Sequence, residues 1–126
     1  MKSLRIYSFF SGAGFLDLGF ETEGFVIDFV NEYNRSFLEI YKYARKNMKL
    51  EEPKYGYYCG DINELLRGKG KKDLSSHVNS NRRNELIGFI GGPPCPDFSV
   101  AGKNKGINGS NGRLTTSYKR IILLYE

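Results

Sequence analysis

Four short apolar, β-prone runs, separated by turns and by stretches with helical spacing, confine this chain to an α/β architecture. Leu4 to Phe9 is rich in β-forming residues and ends at Ser11, Gly12, Ala13 and Gly14, which suits a buried strand entering a tight turn. Leu16, Leu18, Gly19 and Phe20, stopped by Gly24, fit a short amphipathic helix, and Phe25 to Val30 reads as a second strand. From Asn34 to Asn47, Phe37, Ile40, Tyr41 and Ala44 recur at helical spacing, with basic residues gathered toward the end, as the helix macrodipole favours. Tyr55 to Cys59 is a small aromatic strand, Asp61 to Leu66 a short helix with Asp61 as its N-cap, and Leu86 to Ile90 another buried strand. This alternation predicts a mostly parallel sheet with flanking helices, and ligands bound beyond the carboxyl ends of the strands.

The connections carry less pattern. Arg67 to Arg83, with two glycines and several basic residues, shows no useful periodicity and is expected to be an exposed, mobile loop. Ala101 to Asn111 reads as a second, glycine- and asparagine-rich loop, and a helix is expected to begin near Thr115 or Thr116. That helix is still apolar from Ile121 to Tyr125 without a stop signal, so the expectation is a chain cut inside a longer protein. At 126 residues, with nine phenylalanines and nine tyrosines, one compact domain is the expected organisation. A net charge of +5 is compatible with a nucleic-acid partner but does not demand one. With no apolar stretch of about 18 residues and no secretory leader pattern, a cytoplasmic protein without membrane contact is expected. Cys59 and Cys95 are then thiols, and with His77 the only histidine no metal site is expected.

Two constellations carry chemistry. After the first strand, Phe10, Ser11, Gly12, Ala13 and Gly14 let the backbone approach a ligand and open a helix whose first amides are free. Alone, such a turn is most often only a turn. Glu32 lies about 20 residues downstream at the end of the second strand, where nucleotide-binding α/β folds place an acid for ribose hydroxyls. Tyr33 can stack on an adenine ring or simply pack, and Asp61 can accept from an adenine amino group or simply cap its helix. The sharper constellation is Gly91 to Ser99, directly after the fourth strand. Two successive prolines, Pro93 and Pro94, fix two backbone angles and hold the following thiol in one place, in a polar loop where ligands bind. Cys95 is therefore read as a nucleophile and Cys59, within an apolar strand, as structural.

Taken in order, these segments resemble the motifs of the cytosine-5 DNA methyltransferases, along nearly the whole chain. Phe10 to Gly14 resembles the family's cofactor motif, Glu32 its ribose-binding acid, Asp61 and Ile62 its adenine contacts, and Pro94 and Cys95 its catalytic dipeptide. Ser99, Gly102, Lys103, Lys105, Gly106 and Leu114 continue the similarity through the loop that in this family closes over DNA. The resemblance implies a Rossmann-like, S-adenosylmethionine-dependent methyltransferase fold, present in part. Residues 1–126 would be the N-terminal part of the catalytic, cofactor-binding domain, with the target-recognition region and later motifs absent. It further implies a flipped cytosine in double-stranded DNA, attack on its carbon 6 by Cys95, and methyl transfer to carbon 5. Cofactor contacts would come from Phe10, Ser11, Gly12, Ala13, Gly14, Glu32, Tyr33, Asp61, Ile62, Pro94 and Leu114, and nucleic-acid contacts from Ser99, Lys103 and Lys105. A restriction-modification setting and a missing C-terminal part as partner are implied with them. Three departures stand out: Phe15 replaces a common glycine and is expected to crowd the methionine end of the cofactor, while Gly109 and Asn111 replace an aspartate and an arginine. Alternatives are a methyltransferase acting on RNA cytosine, and a non-catalytic S-adenosylmethionine-binding module or half of a split enzyme. An amino-directed methyltransferase has no use for the thiol, and a nicotinamide-dependent oxidoreductase leaves the Gly-Gly-Pro-Pro-Cys loop unexplained.

Overall fold

A computed structural model describes residues 4–94 and 109–126, the side chains of residues 110 and 111 excepted. The chain runs β1 (Leu4–Phe9), α1 (Phe15–Thr22), β2 (Val26–Glu32), α2 (Arg35–Asn47), β3 (Tyr57–Cys59), a 3-10 helix (Ile62–Leu66), α3 (Gly68–Arg82), β4 (Leu86–Gly91) and α4 (Ser110–Leu124). Among the described residues the strands form one sheet in the order β3-β2-β1-β4, with every pairing parallel. The α/β class and the parallel sheet expected from the alternation are thus the observed fold. At the carboxyl edge Phe9 pairs with both Asn31 and Gly91, and Glu32 with Cys59, so the ends of all four strands meet along one line.

Each face of the sheet has its own core. Tyr7, Phe9 and Phe29 pack with Leu74 and Val78 of α3 and Tyr118 and Ile121 of α4. Ile6, Ile27 and Val30 pack with Leu38 and Tyr41 of α2 on the other side. Strict alternation would send Ile27 and Phe29 to the same face. The register shift between Ile6 and Tyr7 inserts Asp28 as a bulge, which reverses the parity of β2 and fills both layers. The bulge is held electrostatically: Asp28 is fully buried and accepts from Arg5 Nε at 2.7 Å, Arg5 Nη2 at 2.6 Å and Asn81 Nδ2 at 2.9 Å.

Several boundaries differ from the sequence expectation. Residues 67–83 are not a mobile loop, because all but the two end residues form α3, which buries Leu74, Val78 and Asn81 at spacings of four and three. Only two of these three are apolar, and the third is a polar residue whose side chain also donates to Tyr7 Oη and accepts from Tyr55 Oη, both at 3.0 Å. In α2 the buried stripe is Leu38, Tyr41 and Arg45, whereas Phe37 and Ile40 are half exposed. Arg45 stays buried by pairing with Glu21 and with the Glu51 carbonyl. The β3 strand begins at Tyr57 rather than Tyr55, since Gly56 adopts φ +77° and its N–H closes a turn onto the Pro53 carbonyl. The last helix begins at Ser110, before the expected threonines and inside the segment expected to be loop up to Asn111.

One buried acid links three elements through two hydroxyl groups. Asp17, in the first turn of α1, accepts from Ser8 Oγ of β1 at 2.8 Å and from Tyr41 Oη of α2 at 2.5 Å. Burial pushes its pKa above the usual carboxylate range, against the opposing pull of those two hydroxyl donors. The folded chain therefore binds this proton more tightly than the unfolded chain, so Asp17 favours folding most below its unfolded pKa. That contribution is lost as pH rises through the higher folded value. Comparing the wild type with Asp17→Asn by chemical denaturation from pH 4 to pH 7 is expected to show the wild type losing stability relative to the variant as pH rises. A pH-independent difference would contradict it.

Candidate functional site

Beyond the carboxyl ends of the strands lies an open cavity of about 510 Å³, a size usual for small-molecule sites. Its wall takes residues from every strand end: Phe10 and Gly12 after β1, Asn31, Glu32 and Tyr33 at β2, Gly60, Asp61 and Ile62 after β3, Gly92 and Pro94 after β4. Phe37 of α2 and Leu114 of α4 complete it.

The glycine turn is held in an unusual backbone path. Phe10, Gly12 and Gly14 have φ of +52°, +56° and +97°, the left-handed region that glycine enters freely and phenylalanine does not. Phe10 is kept there by its ring, stacked on Tyr118 of α4 with centroids 6.0 Å apart. Gly12 is fixed by its own N–H, which donates to Glu32 Oε1 at 2.9 Å, while Glu32 Oε2 accepts from the Asn34 N–H at 2.6 Å. Glu32 is nearly buried, yet each oxygen retains one acceptor direction beyond these bonds. At the β3 end, Asn31 Nδ2 donates to the Tyr58 and Gly60 carbonyls, both at 3.0 Å, and Gly60 N–H returns a bond to the Glu32 carbonyl. Asp61 caps the 3-10 helix through Oδ1, which accepts from Asn63 N at 2.8 Å and Asn63 Nδ2 at 2.9 Å. Asn63 Oδ1 in turn accepts from Ser117 Oγ of α4 at 2.6 Å. Both open readings of Asp61 are therefore compatible, since capping occupies Oδ1 and the cavity-lining residue keeps Oδ2.

Of the residues singled out in the sequence as cofactor contacts, Phe10, Gly12, Glu32, Tyr33, Asp61, Ile62, Pro94 and Leu114 line this one cavity. Ser11, Ala13 and Gly14 do not. Gly14 has a packing task instead: a Cβ there would stand 2.7 Å from the Tyr41 ring. The first residues of α1 are likewise not among those lining the cavity. Phe15 is 84% exposed and lines a separate groove with Leu16, Phe20 and Phe25, contrary to the expected crowding of the ligand. Asn31 and Phe37 were missed. The Asn31 side chain bonds along the sheet edge to the Tyr58 and Gly60 carbonyls, which no periodicity reports, and Phe37 counts in the sequence only toward the apolar spacing of a helix, which shows a face without saying what covers it. Cys95, Ser99, Lys103 and Lys105 lie outside the described residues. Cys59, at the end of β3, is a free thiol packed against the second core, with Sγ 3.9 Å from the Tyr33 carbonyl. No helix among the described residues is long and apolar enough to cross a membrane.

Comparison with known proteins agrees with the geometry. The family described as C-5 cytosine-specific DNA methylase matches residues 4–126. The Type II methyltransferase M.NmeDI of Neisseria meningitidis serogroup C is 58% identical over 122 residues, covering 96% of this chain and 29% of that protein. M.FnuDI of Fusobacterium nucleatum is 40% identical, over 94% of this chain and 28% of its own length. M.NgoPII of Neisseria gonorrhoeae is 36% identical, over 94% and 29%. The chain thus spans less than a third of the length of these curated relatives.

The two glycines of the turn separate ligand space from packing. Nothing lies within 4 Å of a Cβ built on Gly12, which faces the cavity. Gly12→Ala is expected to cost about 1–2 kcal/mol, the left-handed backbone term alone, and to weaken ligand binding at least tenfold. Gly14→Ala adds the Tyr41 clash and is expected to lower the unfolding midpoint markedly more. Urea denaturation of both variants checks the order, and its reversal would refute the assignment.

Proposed function

The chain belongs to the C-5 cytosine-specific DNA methylases, and from that premise we propose that it is the cofactor-holding, nucleophile-bearing part of an enzyme that methylates carbon 5 of cytosine in DNA. The observation that carries this reading is the single cavity onto which the ends of all four strands converge, lined by eight of the eleven residues singled out as cofactor contacts.

Those residues fit S-adenosylmethionine. Tyr33, 75% exposed at the mouth, and Phe37 offer ring faces to an adenine. Asp61 Oδ2 can accept from its exocyclic amine, the remaining acceptor directions of Glu32 can take ribose hydroxyls, and Gly12 leaves the floor without a side chain. When bound, the cofactor supplies an activated methyl group on sulfonium. Cytosine carbon 5 is a weak nucleophile in the aromatic ring, and the proposed remedy is covalent. Cys95, bonded to the cavity-lining Pro94, attacks carbon 6 of a flipped cytosine, which makes carbon 5 electron-rich. After methyl transfer, loss of the carbon 5 proton and elimination of the thiolate restore the ring and the free cysteine. An ordinary thiol has a pKa of about 8.5, so the surroundings of Cys95 must favour its thiolate. Ser99, Lys103 and Lys105 would meet the DNA in the loop that follows. The Type II designation of the relatives supports a place in restriction-modification, acting in the cytoplasm where the DNA lies.

Calorimetric titration of the 126-residue chain with S-adenosylmethionine or S-adenosylhomocysteine tests the reading. Binding in the micromolar to submillimolar range is expected. Asp61→Asn keeps an Oδ1-like acceptor for the cap but replaces the free oxygen with a donor, and is expected to weaken binding roughly tenfold or more, about 1.4 kcal/mol, with the unfolding midpoint unchanged. No binding at millimolar ligand, or identical affinity in Asp61→Asn, would overturn it.

A further inference from the structure

Helix α4 turns Leu114, Ser117, Tyr118 and Ile121 inward at helical spacing, and three of the four are apolar. Ser117 is the exception, yet it is only 6% exposed. A hydroxyl on a buried stripe costs stability unless it is hydrogen-bonded, so its partner is informative. That partner is Asn63 in the 3-10 helix, whose Oδ1 accepts from Ser117 Oγ at 2.6 Å. Asn63 in turn stands beside Asp61, the carboxylate of the cavity wall.

The hydrogens in this chain of three side chains can point only one way. Asp61 Oδ1 accepts from the Asn63 backbone N–H at 2.8 Å and lies 2.9 Å from the Asn63 side-chain amide. A carboxylate only accepts, so the amide must turn Nδ2 toward it. Turned the other way, two acceptors would face each other across that short gap. With Nδ2 given to Asp61, Oδ1 of Asn63 faces Ser117, which has one hydrogen to donate. The Arg113 carbonyl also lies within reach of Ser117 Oγ, at 3.1 Å, but the hydrogen goes to the closer Asn63 Oδ1. Asp61 Oδ1 thus holds two donors from one residue, while no hydrogen bond among the described residues engages Oδ2.

We infer that Asn63, oriented by Ser117, is a positioning residue that pins the Asp61 carboxylate and reserves its Oδ2 for a hydrogen-bond donor on the ligand, so that the cavity selects an amino-purine over an oxo-purine. The inference rests on the proposed function, which puts an adenine at Asp61. A single bond from the backbone N–H would let the carboxylate turn about its last torsion; the second bond, from Nδ2, stops it. Adenine brings an amine to the fixed oxygen, whereas hypoxanthine brings a carbonyl oxygen that the fixed oxygen repels. A carboxylate free to turn would yield to either ring, and the distinction would shrink. Asn63 does not line the cavity, so it acts through Asp61 and not on the ligand. Ser117 stands on α4, the helix that follows the cysteine-bearing segment, and ring selection is thereby tied to the seating of that helix.

The test measures, by calorimetric titration of the 126-residue chain, the affinities of S-adenosylhomocysteine and its hypoxanthine counterpart, S-inosylhomocysteine. The wild type is expected to favour the adenine form about thirtyfold. Asn63→Ala keeps the backbone N–H that Asp61 caps and leaves Ser117 the Arg113 carbonyl, so native circular dichroism is expected. It is expected to lower the preference about tenfold by weakening the adenine form alone. Ser117→Ala moves the preference in the same direction by a smaller factor. In an Asp61→Asn background, Asn63→Ala is expected to change the preference less than about twofold, as for residues acting in series. A wild type without preference, equal weakening of both ligands by Asn63→Ala, or the full tenfold effect in the Asp61→Asn background would each overturn the inference. Those outcomes leave the proposed function standing, whereas a wild type that binds neither ligand removes both.

Discussion

The carboxylate of Glu32 is the tie on which the site depends. One oxygen holds the turn after β1 through Gly12, and the other holds the entry to α2 through Asn34. The preceding residue, Asn31, fastens the end of β3 through two carbonyls. Two consecutive residues of β2 therefore fix three neighbouring segments in one frame. Hydrogen bonds to a charged acceptor contribute roughly 1.5–3 kcal/mol each, enough to keep the turn from sampling other paths. The remaining wall is joined to this frame from above, by the Phe10 ring on Tyr118 and by the Ser117, Asn63 and Asp61 chain. Helix α4, which follows the cysteine-bearing segment in sequence, is thus coupled to both sides of the cavity.

The rest of the sheet solves a packing problem that makes this frame possible. A central strand must feed two cores, and β2 does so by the bulge at Asp28, whose charge is matched by Arg5 and whose remaining acceptor capacity is used by Asn81. Asp17 on the other face is satisfied by two hydroxyls, with no ion pair among the described residues. The two buried acids show different answers to the cost of desolvation. Asp28 receives a counter-charge, whereas Asp17 takes its proton more readily.

Much of this was legible in the sequence because apolar period and glycine punctuation report local backbone. β1, β4, α1 and the Asp61 cap are placed within a residue or two of their expected limits, and the cavity gathers Phe10, Glu32, Asp61 and Pro94 as their positions after strands required. The differences in the helices α2 and α3 share one cause. The apolar spacing of α3 is that of a loop because its inward stripe includes Asn81, buried by hydrogen bonds rather than by an apolar side chain. In α2 the inward stripe departs from the apolar spacing because Arg45 is buried by pairing with Glu21. Phe15 and Phe37 are the converse, aromatic residues that face outward or toward a ligand cavity. Hydrophobic spacing measures side-chain type, and at these four positions type and burial part company.

The commitment of the Gly12 amide has a consequence for ligand choice. In many glycine-turn folds that amide and its neighbours meet a phosphate. Here it already serves a carboxylate, and a second carboxylate, Asp61, stands across the cavity. A phosphate placed beside Gly12 would find that amide already engaged and would face two carboxylates. The same glycines that make the chain look like a nucleotide binder thus sit beside carboxylates, and electrostatics there favour a ligand bringing hydroxyls or positive charge over one bringing a phosphate.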